Sequence, residues 1–485
     1  MTMPRVVIVG AGPAGTRAAL TLARYGLKPV ILDEAPRQGG QIYRRPPAQG
    51  GFRRDARTLY GFEAKKAERL HRDFDEKQAA FEHRPEMLVW EIEPGRLHGY
   101  RHADNRRFSL EWEALILATG ATDRVIPLPG WTKPGVYSLG GTQVALKYQG
   151  CAVGRRVAFL GSGPLLYLVA YQYAKAGGEV AGVLDTAPWS AKVAALPALA
   201  AAAPATLAKG LWYLAWLKSR RIPVVNQVRP LEVNGAERVA GIAFDTPRGS
   251  DSLVCDALAM GWGLRSESQL AELAGCRMAF DPLNRQWLPE RDPDGRATGP
   301  KQIYLAGDGT GIAGADAAEL AGELAALALL ADRGTAVDRG RQAELRQGLA
   351  RIHRFRQALE TAFPYPQALA AALPNGAILC RCENVTAGEL RATAQIDATE
   401  LNRAKAYCRV GMGRCQGRVC GPAAAEILAA ALGKPVEAVG RLRAQPPVKP
   451  IPLEPLSGEA IAEAAPPSLT FSLEGPGEEN AEPRA

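Results

Sequence analysis

Four cysteines toward the C-terminal end carry the most specific chemistry in the chain. Cys380-Arg381-Cys382 is followed, after 32 intervening residues, by Cys415-Gln416-Gly417-Arg418-Val419-Cys420. Four thiolates suit either an iron–sulfur cluster or a structural zinc ion. Zinc more often uses paired Cys-x2-Cys knuckles, and here Arg381, Arg409, Arg414 and Arg418 crowd the same loops. Positive charge favours an anionic cluster and offers a docking patch to an electron partner, so the pattern favours iron–sulfur over zinc. A second chemistry lies at the other end, in Val6-Val7-Ile8-Val9-Gly10-Ala11-Gly12-Pro13-Ala14-Gly15. Gly10 permits the tight turn, Gly12 lets a pyrophosphate approach the backbone, and Gly15 lets a helix lie close to its strand. The helix N-terminus offers amides and the positive end of its dipole to the phosphates. Lys28–Leu32 reads as the next strand, and Asp33-Glu34 at its end are placed to accept ribose hydroxyls.

Both sites need scaffolding that the sequence also encodes. Thr386-Ala387-Gly388-Glu389 is a capping box, Pro422 suits a helix start and Gly433 a helix stop, so the thiols fall on loops at helix ends. Gly411, Gly413, Gly417 and Gly421 allow tight chain paths there, and the segment reads as a module separate from the N-terminal half. In that half, Gly39-Gly40-Gln41-Ile42-Tyr43-Arg44-Arg45 is a loop where Gly40 and Gln41 can approach a flat ring. A charged helical segment, Asp55–Phe81, and a strand pair, Met87–Ile92 and Arg107–Trp112, lead into the buried strand Ala114–Ala121 with Ala118-Thr119-Gly120 at its end. A second Rossmann pattern, Arg156–Leu166, has Leu166 at the third-glycine position, which predicts a helix pushed off its strand and bulk near the pyrophosphate path. Its next strand, Glu179–Leu184, ends in Asp185; Pro223–Asn226, Val239–Phe244 and Leu253–Gly261 continue the sheet. Lys301–Leu305 then runs into Gly307-Asp308 and an apolar helix, Asp316–Ala331. Asp308 is placed to bond a ribityl chain while that helix points its N-terminus at the ring system.

With 485 residues the chain is too long for one core and predicts two to four domains. Its net charge of +9 is spread out, with basic clusters at Arg44–Arg54 and Arg403–Arg418 that read as solvated faces. No interleaved aromatics accompany them, which argues against nucleic acid. Met1–Arg5 runs straight into a strand with no signal segment, and the alanine-rich stretch Val193–Leu217 carries Pro197, Pro204 and Lys209, so it predicts a helical excursion rather than a membrane span. A cytoplasmic chain is expected, whose eight cysteines are not a disulfide framework; Cys151, Cys255, Cys276 and Cys408 read as core residues.

The order of motifs resembles the two-dinucleotide-binding-domain flavoproteins of the disulfide-reductase superfamily over about residues 1–340, without a redox Cys pair near either fingerprint. The segment Cys380–Thr386 with Gly411–Cys420 resembles the [2Fe–2S] domain of bacterioferritin-associated ferredoxin. Joined, and with Gly39–Arg44, Gly130-Trp131, Pro134-Gly135-Val136 and Gly161–Leu166, they resemble the α (A) subunits of heteromeric FAD-dependent amino-acid dehydrogenases over about residues 1–450. That family includes the hydrogen cyanide synthase, opine oxidase, D-hydroxyproline dehydrogenase and archaeal proline dehydrogenase types. The resemblance implies an α/β fold with two Rossmann-like domains and a small helical [2Fe–2S] domain. The expected divisions are residues 1–140 with 265–345 for FAD, 141–264 for a degenerate NAD(P)-like domain, 346–444 for a helical linker and the cluster domain, and 445–485 for an extended or disordered proline-rich tail. It puts FAD, or ATP or another adenine nucleotide, on Gly10, Gly12, Pro13, Ala14, Gly15, Asp33, Glu34, Gly40, Gln41, Thr119, Gly120, Gly307 and Asp308. The cluster ligands fall on Cys380, Cys382, Cys415 and Cys420.

No third, substrate-shaping domain is visible, so no catalytic residue is expected here. The resemblance implies an electron-transfer subunit. An FAD-bearing β subunit oxidises a CH–NH donor of the D-hydroxyproline, proline, opine or glycine type, some members carry a small ferredoxin-like [2Fe–2S] γ subunit, and FMN can lie at the interface between α and β. Electrons leave to an acceptor or the respiratory chain, the complex being cytoplasmic or peripheral to the inner membrane. The rival is a self-contained NAD(P)H-dependent flavin/iron–sulfur reductase, which needs a working second Rossmann site with Asp185 on the ribose.

Overall fold

Val6–Val9 form a wholly buried strand, as an unbroken β-branched run does inside a parallel sheet. In the computed structural model, which describes residues 5–47, 55–453 and the backbone of 461–462, this strand lies mid-sheet. Met1, Arg53-Arg54 and most of the tail beyond Leu453 lie outside the described residues. The sheet order is Ile303–Leu305, Ala114–Leu117, Val6–Val9, Val30–Leu32, Glu82–Arg84, all parallel. Helices Pro13–Arg24 and Ala315–Asp332 cover one face, and they cross where a Cβ on Gly322 would fall 2.1 Å from the Ala14 carbonyl oxygen. Only glycine permits that crossing.

The second parallel sheet runs Val224–Asn226, Glu179–Asp185, Arg156–Ser162, Ala257–Trp262, Val136–Ser138. An antiparallel pair, Ala121–Asp123 with Leu264–Ser266, carries the chain between the two sheets. The expected strand pair after the charged helix is a three-stranded meander, because Arg96–Arg101 lies between Met87–Glu93 and Arg106–Glu111. Arg229–Asn234 likewise adds a strand to Gly241–Thr246 and Gly249–Val254. Both additional strands are rich in polar residues or carry a proline, which hid them from hydrophobic patterning. The alanine-rich stretch is two helices, Trp189–Ala202 and Pro204–Ser219, and among the described residues no helix is long and apolar enough to cross a membrane.

The cysteine-bearing segment is not a bead on a string. Its buried residues Leu379, Cys380, Leu390, Cys420 and Ile427 share one continuous core with Ile126, Trp131, Leu160 and Met260 of the second sheet. Trp131 donates its indole N–H to the Ile378 carbonyl at 2.7 Å, and the Arg124 guanidinium lies 3.6 Å over the Tyr365 ring. The two parts are therefore joined by a common core, contrary to the expectation of separate modules. After Gln445 the proline-rich arm lies on the chain's own first domain: Val448 is buried among that domain's core residues and its N–H bonds the Trp90 carbonyl.

Candidate cofactor sites

The carboxyl ends of four parallel strands meet at one edge of the first sheet, where doubly wound folds bind ligands. Gly10–Gly15, Asp33, Thr119-Gly120 and Gly307-Asp308 all follow such ends. The Gly39 N–H bonds the Ala11 carbonyl at 2.9 Å, which brings Gly40 onto Gly12; a Cβ on Gly40 would sit 3.0 Å from the Gly12 Cα. Gly12 caps helix Pro13–Arg24 without a side-chain bond, and no acid occupies the first turn. The amides of that turn are left for an anion, which fits a pyrophosphate. Asp33 accepts the Ala11 N–H at 2.5 Å and the Ala35 N–H at 2.7 Å, so it orders the glycine turn itself, and burial raises its pKa. Glu34 is exposed and pairs with Lys449 from the C-terminal arm. Gln41 is exposed and accepts from Arg44 at 2.8 Å. Asp308 accepts the Ala313 and Gly314 N–H groups, both at 2.9 Å, and so shapes the loop that opens helix Ala315–Asp332. That helix too has an N-terminus without a side-chain cap.

The four predicted cysteines converge. Hydrogen bonds link Cys382 with Cys415, Cys415 with Cys420, and Cys420 with Cys380. Cys420 bonding, with the Gly411 and Glu383 amides, draws the Cys380 thiol down to about 6. The same partner, with the Val419 and Gly417 amides, brings Cys415 to about 5, while Cys420 is pushed far up. Among the described residues, Glu91, Glu93 and His98 on an outer hairpin are the one group of three ligating side chains mutually within 4.8 Å. The sulfurs thus do not close into a compact tetrahedron, whose edges would be about 3.8 Å for Zn–S bonds of about 2.3 Å. A zigzag of sulfur pairs suits two irons, two thiolates to each. Gly413 is required by that packing, since a Cβ there would lie 2.3 Å from the Cys382 Cβ. Of the other cysteines, Cys255 and Cys276 are buried and Cys408 partly so, but Cys151 is exposed and is not core.

The arginine shell differs from expectation. Arg409 pairs with Glu383 at 2.8 Å, and Arg381 lies 5.6 Å from the Trp131 ring centroid. Arg418 turns inward to Glu267, Nε to Oε2 at 2.6 Å and Nη2 to Oε1 at 3.1 Å. Sequence reasoning missed Arg265, Glu267 and Gln269, which resemble surface charges at a strand–helix junction. Arg265 donates to the Arg418 carbonyl and Gln269 to the Gln416 carbonyl, each at 3.0 Å. The Glu267 backbone in turn holds the nucleotide-site motif: Thr119 Oγ1 donates to its carbonyl at 2.5 Å, and its N–H bonds the Gly120 carbonyl at 2.9 Å. One segment therefore touches both candidate sites.

At the second fingerprint Leu166 is buried in the core with Phe159 and Val169, so its bulk does not stand in the pyrophosphate path. What closes this site is Asp185. It is fully buried, accepts the Ala187 N–H at 2.8 Å and Lys192 Nζ at 2.5 Å, and is also bonded by the Tyr167 hydroxyl.

Residues 4–329 match the pyridine nucleotide-disulphide oxidoreductase family, and residues 378–430 match the BFD-like [2Fe-2S] binding domain. FAD and a [2Fe–2S] cluster are the cofactors of these two domains. The α-type (A) component of opine oxidase from Rhizobium meliloti is 35% identical over 467 residues, spanning 93% of this chain and 87% of that protein. Hydrogen cyanide synthase subunit HcnB of Pseudomonas protegens is 32% identical over 466 residues, 92% and 96% of the two chains. The L-proline dehydrogenase crystal structure from P. horikoshii shares the fold, with a TM-score of 0.69 over 94% of this chain and 80% of that chain at 21% identity. The chain is thus an oxidoreductase of the pyridine nucleotide-disulphide oxidoreductase family, and it belongs with the α-type (A) components of the opine oxidases.

Proposed function

We propose that this chain is the electron-transfer subunit of a heteromeric dehydrogenase that oxidises an amino acid, imino acid or opine. Substrate oxidation belongs to a flavin-bearing partner. The bound flavin and cluster supply one- and two-electron redox chemistry. The chain's own residues position these groups. Gly10, Gly12, Pro13, Ala14 and Gly15 present the phosphate-binding turn, and Asp33 keeps it in shape. Gly40, Gln41, Thr119, Gly120, Gly307 and Asp308 line the rest of the crevice. Cys380, Cys382, Cys415 and Cys420 hold the cluster.

The observation that carries this reading is the shared segment Arg265–Gln269, bonded at once to Thr119-Gly120 and to the Arg418 and Gln416 carbonyls of the cluster loop. A relay needs its two cofactors at a fixed short separation, and this segment fixes it. Two further features support a role inside an assembly. The buried partners of Asp185 leave no carboxylate for a nicotinamide ribose, which favours a scaffold over an NAD(P)H reductase. The helices Trp189–Ala202 and Pro204–Ser219 also turn Trp189, Val193, Leu196, Leu211 and Trp212 outward, more apolar surface than a lone chain usually leaves in water.

The test is dye reduction by the purified chain with amino acids, imino acids and opines. None is expected without the partner, and turnover by the isolated chain would overturn the proposal.

A further inference from the structure

We infer that Glu267 and Arg418 form a buried charge pair that sets the reduction potential of the cluster. Both side chains are almost fully enclosed, at 8% and 11% exposure. Arg418 lies between two of the cysteines, and its Nη1 donates to the Cys415 carbonyl at 3.4 Å and to the Val448 carbonyl. Arg265, buried alongside, feels both Cys415 and Cys420. Two guanidinium charges therefore face the cluster loop from inside the protein, and Glu267 is the acid that bonds one of them bidentately. Arg409 and Glu383, by contrast, make an outer pair whose arginine is 66% exposed and screened by water.

Charges in a poorly hydrated interior act on one another strongly, and nearby net charge is one of the protein's controls over cluster potential. Reduction adds a negative charge. Uncompensated arginines would make that addition easier, and Glu267 restrains it. Because the Glu267 backbone is bonded to Thr119 and Gly120, the charge that tunes the cluster sits on the segment that shapes the nucleotide site. Glu267 and Arg418 are positioning residues in this account, since neither touches a reacting atom.

The inference rests on the four-cysteine assignment and is tested on the full chain with cofactors bound. Mediated redox titration followed by EPR gives the cluster potential, visible absorbance gives the flavin potential, and iron per chain is measured alongside. Glu267→Gln keeps the hydrogen-bonding shape and removes the charge, so the cluster potential is expected to rise while the EPR line shape persists. Arg418→Gln is expected to lower it, and the double variant to return toward the parent value. The flavin potential should stay put. Opposite signs from the two partners are what a merely structural clamp would not produce. Shifts of the same sign, no shift, or loss of the cluster from both single variants would overturn the inference. Where one variant alone loses iron, the sign of the other decides. Failure of the cysteine assignment is distinguishable, because the parent protein would then lack the cluster signal altogether.

Discussion

Two neighbouring glycines should separate folding from cofactor binding. At Gly15 a Cβ would lie 1.8 Å from the Gly10 carbonyl oxygen, 3.0 Å from its carbon and 3.3 Å from Ile8 Cγ2. The first two are backbone atoms of the central strand's turn and cannot rotate away. Gly15→Ala must move the helix off the sheet, and overpacking of this kind costs about 1–3 kcal/mol, partly offset by roughly 1 kcal/mol of helix propensity. At Gly12 the backbone has φ −73°, which alanine adopts freely, and the nearest atom to a Cβ is the Gly40 Cα at an ordinary 3.7 Å. Gly12→Ala should therefore leave the apoprotein as stable as the parent, or more stable by about 0.4–1 kcal/mol through the unfolded chain. Its methyl group projects between the two glycine loops, where the pyrophosphate must pass. FAD binding should weaken at least about tenfold, or roughly 1.4 kcal/mol. The assay is thermal unfolding of FAD-stripped protein beside fluorescence titration with FAD. Bound cofactor would mask the stability difference, so apoprotein is essential. Parental FAD affinity in Gly12→Ala would refute the placement of the phosphates, and parental apoprotein stability in Gly15→Ala would refute the packing argument.

Cys382 is the exposed member of the cysteine set, so Cys382→Ser should abolish the reduced [2Fe–2S] EPR signal and lower iron content while FAD stays bound. Cys420→Ser should also destabilise the protein, because Cys420 lies in the core shared with the second sheet. NADH and NADPH should bleach the flavin too slowly for turnover, as stopped-flow absorbance will show. Asp185→Asn should cost about 3 kcal/mol in denaturant unfolding, since it strips Lys192 of its counter-charge in a buried setting. Lys147 sits on a π-helical turn, and burial pushes its amine from 10.5 down to about 8. Between those pH values the unfolded chain binds the proton and the folded chain does not, so stability falls as pH drops from about 10 to 8. Lys147→Met should remove that slope and stabilise the protein at neutral pH by about 3 kcal/mol, measurable as denaturant midpoint against pH.

The nucleotide site was legible because each of its parts follows a strand of uniform apolar character and a glycine with a steric reason to be there. The cysteine ligands were legible from type and spacing alone. Arg265 and Glu267 were not, because a local window gives a charged strand–helix junction the same appearance whether it faces water or another domain. Their burial is created by the cluster domain docking more than a hundred residues later in the chain. The second fingerprint was misread for a related reason. Leu166 departs from the motif visibly, whereas the occupation of Asp185 by Tyr167 and Lys192 depends on side chains brought together by the fold. The proline-rich arm had the composition of a free tail, and the burial of one valine, Val448, holds it against the first domain.

The relay is tested most directly by anaerobic freeze-quench EPR after substrate is mixed with the chain alone and with its co-expressed complex. The account expects the reduced cluster signal to grow in the complex within turnover time and to stay absent in the isolated chain. Substrate-driven cluster reduction in the isolated chain would place oxidation in this chain and contradict the account.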